Sequence, residues 1–309
     1  MGTRHSSVSV ILFALFANLF IAVVKFIVAF ITASSAMLAE AIHSLADSMN
    51  QILLLIGIRR GRRQPDSLHP FGFSGELYFW SFIVAIILFT LGAVFSIYEG
   101  IHKIRHPEPI KNIMIAILVL GVSILAEGAA FFRAFRRVTR ERGELSIISY
   151  LRATKKSELI VVFLEDLAAI TGLTVALALI TIQHFTGILI LDGVASIVIG
   201  VILAIVALFL GNETKSLLIG ESADPLIIKQ VTKMFDEDES VNRLIFIKSL
   251  QLGPEDILLA VKLEFDHRLT SVEISNIINS FEKEIRYHFP DIKKIFIEPD
   301  IFTNGFVRV

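Results

Sequence analysis

Cysteine is missing from all 309 residues, so disulfides and thiolate metal sites are excluded, and any metal chemistry must use imidazole and carboxylate groups. Charge is scarce too. Asp, Glu, Lys and Arg make up 19% of the chain and nearly cancel, to a formal net charge of −1, so no nucleic-acid partner is expected. His-Glu-x-x-His and Gly-x-Ser-x-Gly segments do not occur. A membrane metallo-hydrolase is therefore the weaker alternative, and no enzyme is expected.

What is present is apolar. The hydrophobic share is 54% and mean hydropathy is +0.70, too apolar for an ordinary soluble domain. Six runs approach the ~20 residues that a hydrocarbon core requires: Val8–Ile31, Ala36–Ile58, Tyr78–Ile101, Ile113–Phe132, Leu159–Ile182 and Ile188–Leu210. The first is too long for a cleaved signal peptide. The expected fold is an α-helical six-span bundle over residues 1–211, embedded in the lipid bilayer. From Asn212 charges become frequent, and residues 212–309 are expected to form a separate domain.

Arginines 59, 60, 62 and 63 follow span two, and a basic stretch, Arg133–Lys156, separates spans four and five. The alternate loops hold few or no basic residues. This bias predicts a multi-pass protein with both termini in the cytoplasm, and for a bacterial chain the inner membrane.

In the tail, Asp224-Pro225 opens a predicted helix to about Asp236, with Asp224 as N-cap. Arg243–Leu252 and Asp256–Phe265 read as strands around a Gly-Pro turn, the second alternating Leu259, Val261, Leu263, Phe265 with polar residues. A helix over Ser271–His288 and a strand over Lys294–Glu298 complete an αββαβ, ferredoxin-like α+β layer.

Inside these apolar runs lie the residues that matter. Span two carries Glu40, His43, Asp47 and Asn50 at intervals of three or four, which places them along one helical face. Span five carries Glu165 and Asp166 side by side. Ionisable groups at membrane depth are costly unless paired, protonated or bound to a cation, so both clusters are functional candidates. Polar seams between helices are the structural alternative, including a Glu165–Lys25 pair. Asn18 and Lys25 on span one, Glu127 pairing with a nearby arginine and Asp192 at the start of span six read as structural. One imidazole and two or three carboxylates suit Zn²⁺, with Mn²⁺, Fe²⁺ or Co²⁺ as alternatives, better than Ca²⁺ or Mg²⁺. A histidine must be neutral to bind metal, which gives metal–proton exchange a physical basis in one site.

His43-Ser-Leu-Ala-Asp47 on span two and His69-Pro-Phe-Gly-Phe73 before span three resemble the cation diffusion facilitator transporters, and the likeness extends over nearly the whole chain. The resemblance implies zinc efflux in exchange for protons by a homodimer with alternating access, the ion held by His43, Asp47 and Asp166. On span five the usual ligand position four residues before Asp166 is Val162. Leu-Glu-Asp at 164–166 instead resembles the branch containing the mammalian ninth zinc transporter, which adds Glu165 as a ligand. A second candidate metal site, Asp66 and His69, matches a loop position used by some members, although Phe73 stands where a third ligand would be. Lys262 occupies the tail position where members often place a metal-binding histidine, so the tail is expected to dimerise, with His267 and His288 solvated and Glu298 and Asp300 at best weak ligands. These departures leave one further alternative, a member of the fold that has lost transport and acts as a binding partner.

Overall fold

The computed structural model describes residues 3–303, with the side chains before Asn18, Leu15 excepted, outside the described set. The chain divides into two compact units. One comprises Met1–Arg59 and Leu77–Lys215; the other comprises Arg60–Glu76 and Ser216–Val309.

The first unit is helical: α1 (Thr3–Thr32), α2 (Ser35–Gly61), α3 (Glu76–Ile87), a π-helical stretch (Leu88–Val94), α4 (Phe95–Arg105), α5 (Ile113–Glu141), α6 (Ile147–Ala153), α7 (Ser157–Thr186) and α8 (Ile190–Ile219). The stretch from Glu76 to Arg105 is one span. Among the described residues five helices are long and apolar enough to cross a membrane, and Asn18–Thr32 of α1 is a shorter apolar segment. Part of the expected first span, Val8–Ile31, thus lies outside the described side chains.

Lipid is as apolar as leucine, so helices within a bilayer associate by close packing of small residues. The buried face of α2 is accordingly built from Ala36, Ala39, Ala41, Ser44, Ala46, Ser48 and Gly57, and that of α7 includes Ala168, Ala169, Gly172 and Ala176. The tightest approach joins α4 to α8. A Cβ on Gly193 would meet the Gly100 carbonyl oxygen at 2.7 Å, and one on Gly200 would meet the Ala93 carbonyl oxygen at 2.9 Å. Between these contacts the Ser196 hydroxyl donates to the Ser96 carbonyl at 2.8 Å.

The turn between α1 and α2 is tied to the same pair. Asp192 of α8, fully buried, accepts from the Ser34 hydroxyl (2.6 Å) and from the backbone N–H groups of Ser35 (2.8 Å) and Ala36 (3.1 Å). The sequence placed this acid at its own helix start. It does lie in the first turn of α8, and its carboxylate also satisfies the first-turn amides of α2, which within the bundle have no water to bond. Lys103 donates to the Ala33 carbonyl at 2.7 Å and lies 3.9 Å from the same carboxylate.

The basic stretch after span four, expected as a loop, is largely helical. Arginine is a good helix former, so α5 continues to Glu141, with Arg137 and Glu141 paired at 3.0 Å one turn apart. After a short turn Ser146 caps α6, accepting from the Ser149 N–H.

The second unit is a three-stranded sheet with two helices: α9 (Pro225–Asp236), β1 (Val241–Gly253), β2 (Asp256–Phe265), α10 (Ser271–His288) and β3 (Ile292–Pro299). Strand order is β1-β2-β3, with β1 and β2 antiparallel and β2 and β3 parallel. The expected αββαβ order is present. Asp224 caps α9 through the Leu226 N–H, and a Thr270–Glu273 capping box starts α10. Ile257, Leu259, Val261, Leu263 and Phe265 of β2 are buried against Phe235, Phe281 and Ile285 of the helices. By packing, this unit begins at Ser216, a few residues beyond the composition change at Asn212, because α8 runs on to Ile219. It also takes in the segment Arg60–Glu76. Ser74 donates to Asp256 at 2.7 Å, Asp256 receives the Lys294 ammonium at 2.6 Å, and Phe71 meets Phe296 edge-on.

Two measurable consequences follow from this packing. Gly193→Ala forces α4 and α8 apart and should cost about 1–3 kcal/mol, read as a lowered unfolding temperature in detergent. In the tail, the Lys262 ammonium lies 2.7 Å from Asp300 and 3.2 Å from Glu298. The hydrogen bond to Asp300 raises the lysine pKa, and the same bond, helped by the Ile301 N–H, holds the Asp300 carboxyl below its ordinary range. A depressed carboxylate stabilises above its unfolded pKa and loses that contribution as pH falls through the native value. Amide protection in β2 and β3 should therefore hold from neutrality to about pH 5 and fall as the pH drops below about 4, and Lys262→Met should flatten that fall.

Candidate metal and proton site

The polar residues of α2 do not act as one stripe. Glu40, fully buried, lies 3.4 Å from the Lys25 ammonium of α1, and Lys25 donates to the Ser44 hydroxyl at 2.7 Å. The expected alternative, Lys25 with Glu165, is not formed, since Lys25 is taken up one to two turns nearer the start of α2. Room for Glu40 comes from α7: a Cβ on Gly172 would meet Glu40 Oε1 at 2.9 Å.

One turn further, His43 Nδ1 lies 3.5 Å from Asp47 Oδ1. The imidazole is 1% exposed, and neither of its nitrogens has a hydrogen-bond partner among the described residues. The same holds for Asp47 Oδ1. A buried imidazole and carboxylate left in this state are expensive in a low-dielectric interior. Asn50, a turn beyond, donates through Nδ2 to Glu165 Oε1 at 2.5 Å, which links α2 to α7 and fixes the Glu165 carboxylate.

These groups border a cavity of about 40 Å³ lined by Asn18, Ile21, Ser44, Asp47, Gln51, Glu127, Val162, Glu165 and Asp166. That volume holds a small ion or one to a few waters. Asp47, Glu165 and Asp166, singled out from the sequence, therefore share one space. His43 stands behind Asp47 rather than in the lining. Val162 forms wall where a ligand might have been. Among the described residues no three His, Asp or Glu side chains converge as a closed coordination shell.

Sequence reasoning passed over Glu127 as a partner for a nearby arginine. Among the described residues it forms no such pair, and it faces the cavity from α5. The signal that marks it is the one used for span five, a lone acid within an apolar run. Four carboxylates thus border one small cavity, and the nearest ammonium, Lys25, reaches only its edge through Ser44. Such a cavity demands cations or protons.

The second sequence-level site lies in the other unit. Asp66 accepts from the Leu68 N–H (3.0 Å), the His69 N–H (2.7 Å) and His69 Nδ1 (3.1 Å), a compact turn at an exposed position. The His69 backbone bond is the largest influence holding the Asp66 carboxyl below its ordinary range. The His69 ring packs on Phe73 at 4.4 Å between centroids. Asp66 and His69 are therefore adjacent, with their hydrogen-bonding capacity directed at each other and the turn.

A bundle of apolar helices around an acidic cavity, joined to an αββαβ domain, is the architecture of a membrane carrier for cations. Residues 11–219 match the cation efflux transmembrane domain, and the chain belongs to that family, the cation diffusion facilitators. It is 33% identical over 250 residues to the human proton-coupled zinc antiporter SLC30A9, mitochondrial, covering 80% of this chain and 44% of that protein. It is 34% identical over 258 residues to metal tolerance protein C4 of Arabidopsis thaliana, covering 83% and 56%. To the manganese efflux system protein MneP of Bacillus subtilis it is 26% identical over 302 residues, covering 96% and 97%. The chain spans about half the length of the first two relatives.

The buried Lys25–Glu40 pair yields a test of the site's packing. Removing one partner of such a pair costs about 3–5 kcal/mol because the other charge is left uncompensated. Lys25→Met should destabilise the protein by that order in mixed micelles, and adding Glu40→Gln should recover much of the loss.

Proposed function

We propose that this protein exports a divalent cation, zinc before manganese, iron(II) or cobalt, in exchange for protons. The observation that carries this reading is the clustering of Asp47, Glu165, Asp166 and Glu127 around one small cavity within the membrane helices, with His43 unpartnered beside Asp47. The printed names of the relatives, a proton-coupled zinc antiporter and a manganese efflux protein, support the same class of cargo.

In this reading the ion enters from the cytoplasm and is held by Asp47, Asp166 and Glu165, with His43 supplying an imidazole nitrogen once its ring turns into the cavity. Asn50 orients Glu165, a role that the valine at 162 makes more important. When the cavity opens to the far side, protons replace the metal on the same carboxylates and imidazole, so loading and release are opposite halves of one exchange. Both termini lie in the cytoplasm, following the arginine bias, and the protein works as a homodimer, in keeping with the resemblance to its family. Asp66 and His69 form a second, weaker metal site in the loop before span three. A member of the fold that has lost transport and acts as a binding partner is the second reading, favoured by Val162, Phe73 and the open coordination shell.

Reconstituted liposomes separate the two readings. Wild type should take up zinc under an opposing proton gradient and dissipate that gradient as it does so. Asp47→Asn and Asp166→Asn should each abolish both fluxes; undiminished zinc uptake by either would overturn the site. Asn50→Ala, which releases Glu165, should weaken zinc binding by about 10–100-fold, the usual effect of losing a ligand's supporting hydrogen bond. A wild type that neither binds zinc stoichiometrically nor carries flux of either ion would favour the second reading.

A further inference from the structure

A second group of metal-suitable side chains stands at the end of the bundle where the α1–α2 turn lies, away from the acidic cavity. Here α4 finishes, and a cavity of about 290 Å³ is lined by Ser34, Glu99, His102, Lys103, His106 and Glu108, among others. Asp47 is about 12 residues into α2 from Ser35, so some 18 Å of helix separates the two places.

His102 and His106 are four residues apart, and their rings lie 4.9 Å apart between centroids, tilted by 38°. Arg105 is the last residue of α4, and His106 is the cap, its N–H bonded to the His102 carbonyl at 2.9 Å. The short end of the helix is therefore folded so that both imidazoles remain on one side. Neither ring, and neither Glu99 nor Glu108, has a hydrogen bond or ion pair among the described residues. Lys103, the cation between them, is committed elsewhere, to the Ala33 carbonyl and towards Asp192.

We propose that His102 and His106 form a peripheral chelating site for a borderline divalent cation at this mouth of the bundle. Two imidazoles four residues apart, their centroids 4.9 Å from each other at a helix end, are near enough to share one ion, and the spacing is that used by helical zinc sites. Imidazole nitrogens select zinc, copper(II), nickel or cobalt over calcium and magnesium. No third protein ligand closes the shell, so water completes it and the ion exchanges freely. Glu99 and Glu108 supply negative charge near the pair, and the one lysine of the lining, Lys103, is drawn towards Ala33 and Asp192. This site is independent of the transport reading. If that reading holds, it stands where the exported ion emerges.

Copper(II) is the probe, because its electron paramagnetic resonance spectrum reports the number of coordinating nitrogens. The purified full-length protein in detergent, given one equivalent of copper(II), should show a two-imidazole signal that zinc displaces. His102→Ala and His106→Ala should each remove that signal, while Asp47→Asn and Asp166→Asn retain it. A wild-type spectrum without two-imidazole coordination, or a two-imidazole signal surviving in the His102→Ala/His106→Ala double variant, would overturn the site. Loss of transport in the Asp47 and Asp166 variants bears only on the central cavity, so the two proposals fail separately.

Discussion

The Asp192 carboxylate sets the frame on which the rest of the membrane unit hangs. A helix that begins inside a bundle exposes amide groups that neither water nor its own turns can satisfy, and an anion at that end is favoured by the helix dipole as well. By accepting from Ser34, Ser35 and Ala36, Asp192 fixes the axial height of α2 against α8. Helical rise then dictates where every other polar group of α2 stands: Glu40 opposite Lys25, Asp47 at the cavity and Asn50 against Glu165. Because α8 is in turn locked to α4 through Gly100, Gly193 and Ser196, α2 is measured from a rigid pair.

Along α2 settled and unsettled polar groups alternate. Glu40 has an ammonium on one oxygen, Asp192 has its donors and Asn50 holds Glu165, whereas both nitrogens of His43 and one oxygen of Asp47, like the second oxygen of Glu40, have no hydrogen bond among the described residues. Settled pairs hold helices; unsettled groups around a small acidic space are those that a cation or a proton would complete. Placing the two kinds on one helix, a turn or two apart, lets the same element serve as scaffold and as ligand arm.

Much of this was legible in the residues. Apolar length marked the five spans present among the described residues, the alternation in Leu259–Phe265 gave the central strand, and the cost of charge in lipid singled out Asp47, Glu165 and Asp166. The misses share a physical cause. Asp192 was placed rightly at its own helix start without its hold on α2, while Glu127 and Lys25 were given other partners, an arginine and Glu165, where the structure has a shared cavity and an acid fifteen residues away across a turn. One-dimensional spacing locates an ionisable group and says nothing of its tertiary partner. The helical continuation through Arg133–Glu141 was missed for a different reason, since polarity was taken to mean loop where it meant only exposure to water.

The wide turn in span three has a geometric consequence of its own. Leu77, Ser81 and Val84 before it, Leu88 and Gly92 within it, and Ser96 and Gly100 after it are all buried. From Leu88 to Gly100, ideal α-helix would rotate the chain about 1200°, roughly 120° beyond whole turns, carrying Gly100 off the shared face. A π-helical stretch holds more residues per turn and so takes up most of that surplus. The stretch Leu88–Val94 works as a phase correction: it lets a sequence written in steps of four keep one straight seam along a helix whose natural step is shorter. Deleting one residue there would return the stretch to plain α-helix with the seam nearly in phase, since eleven steps turn the chain about 1100°, only some 20° beyond whole turns.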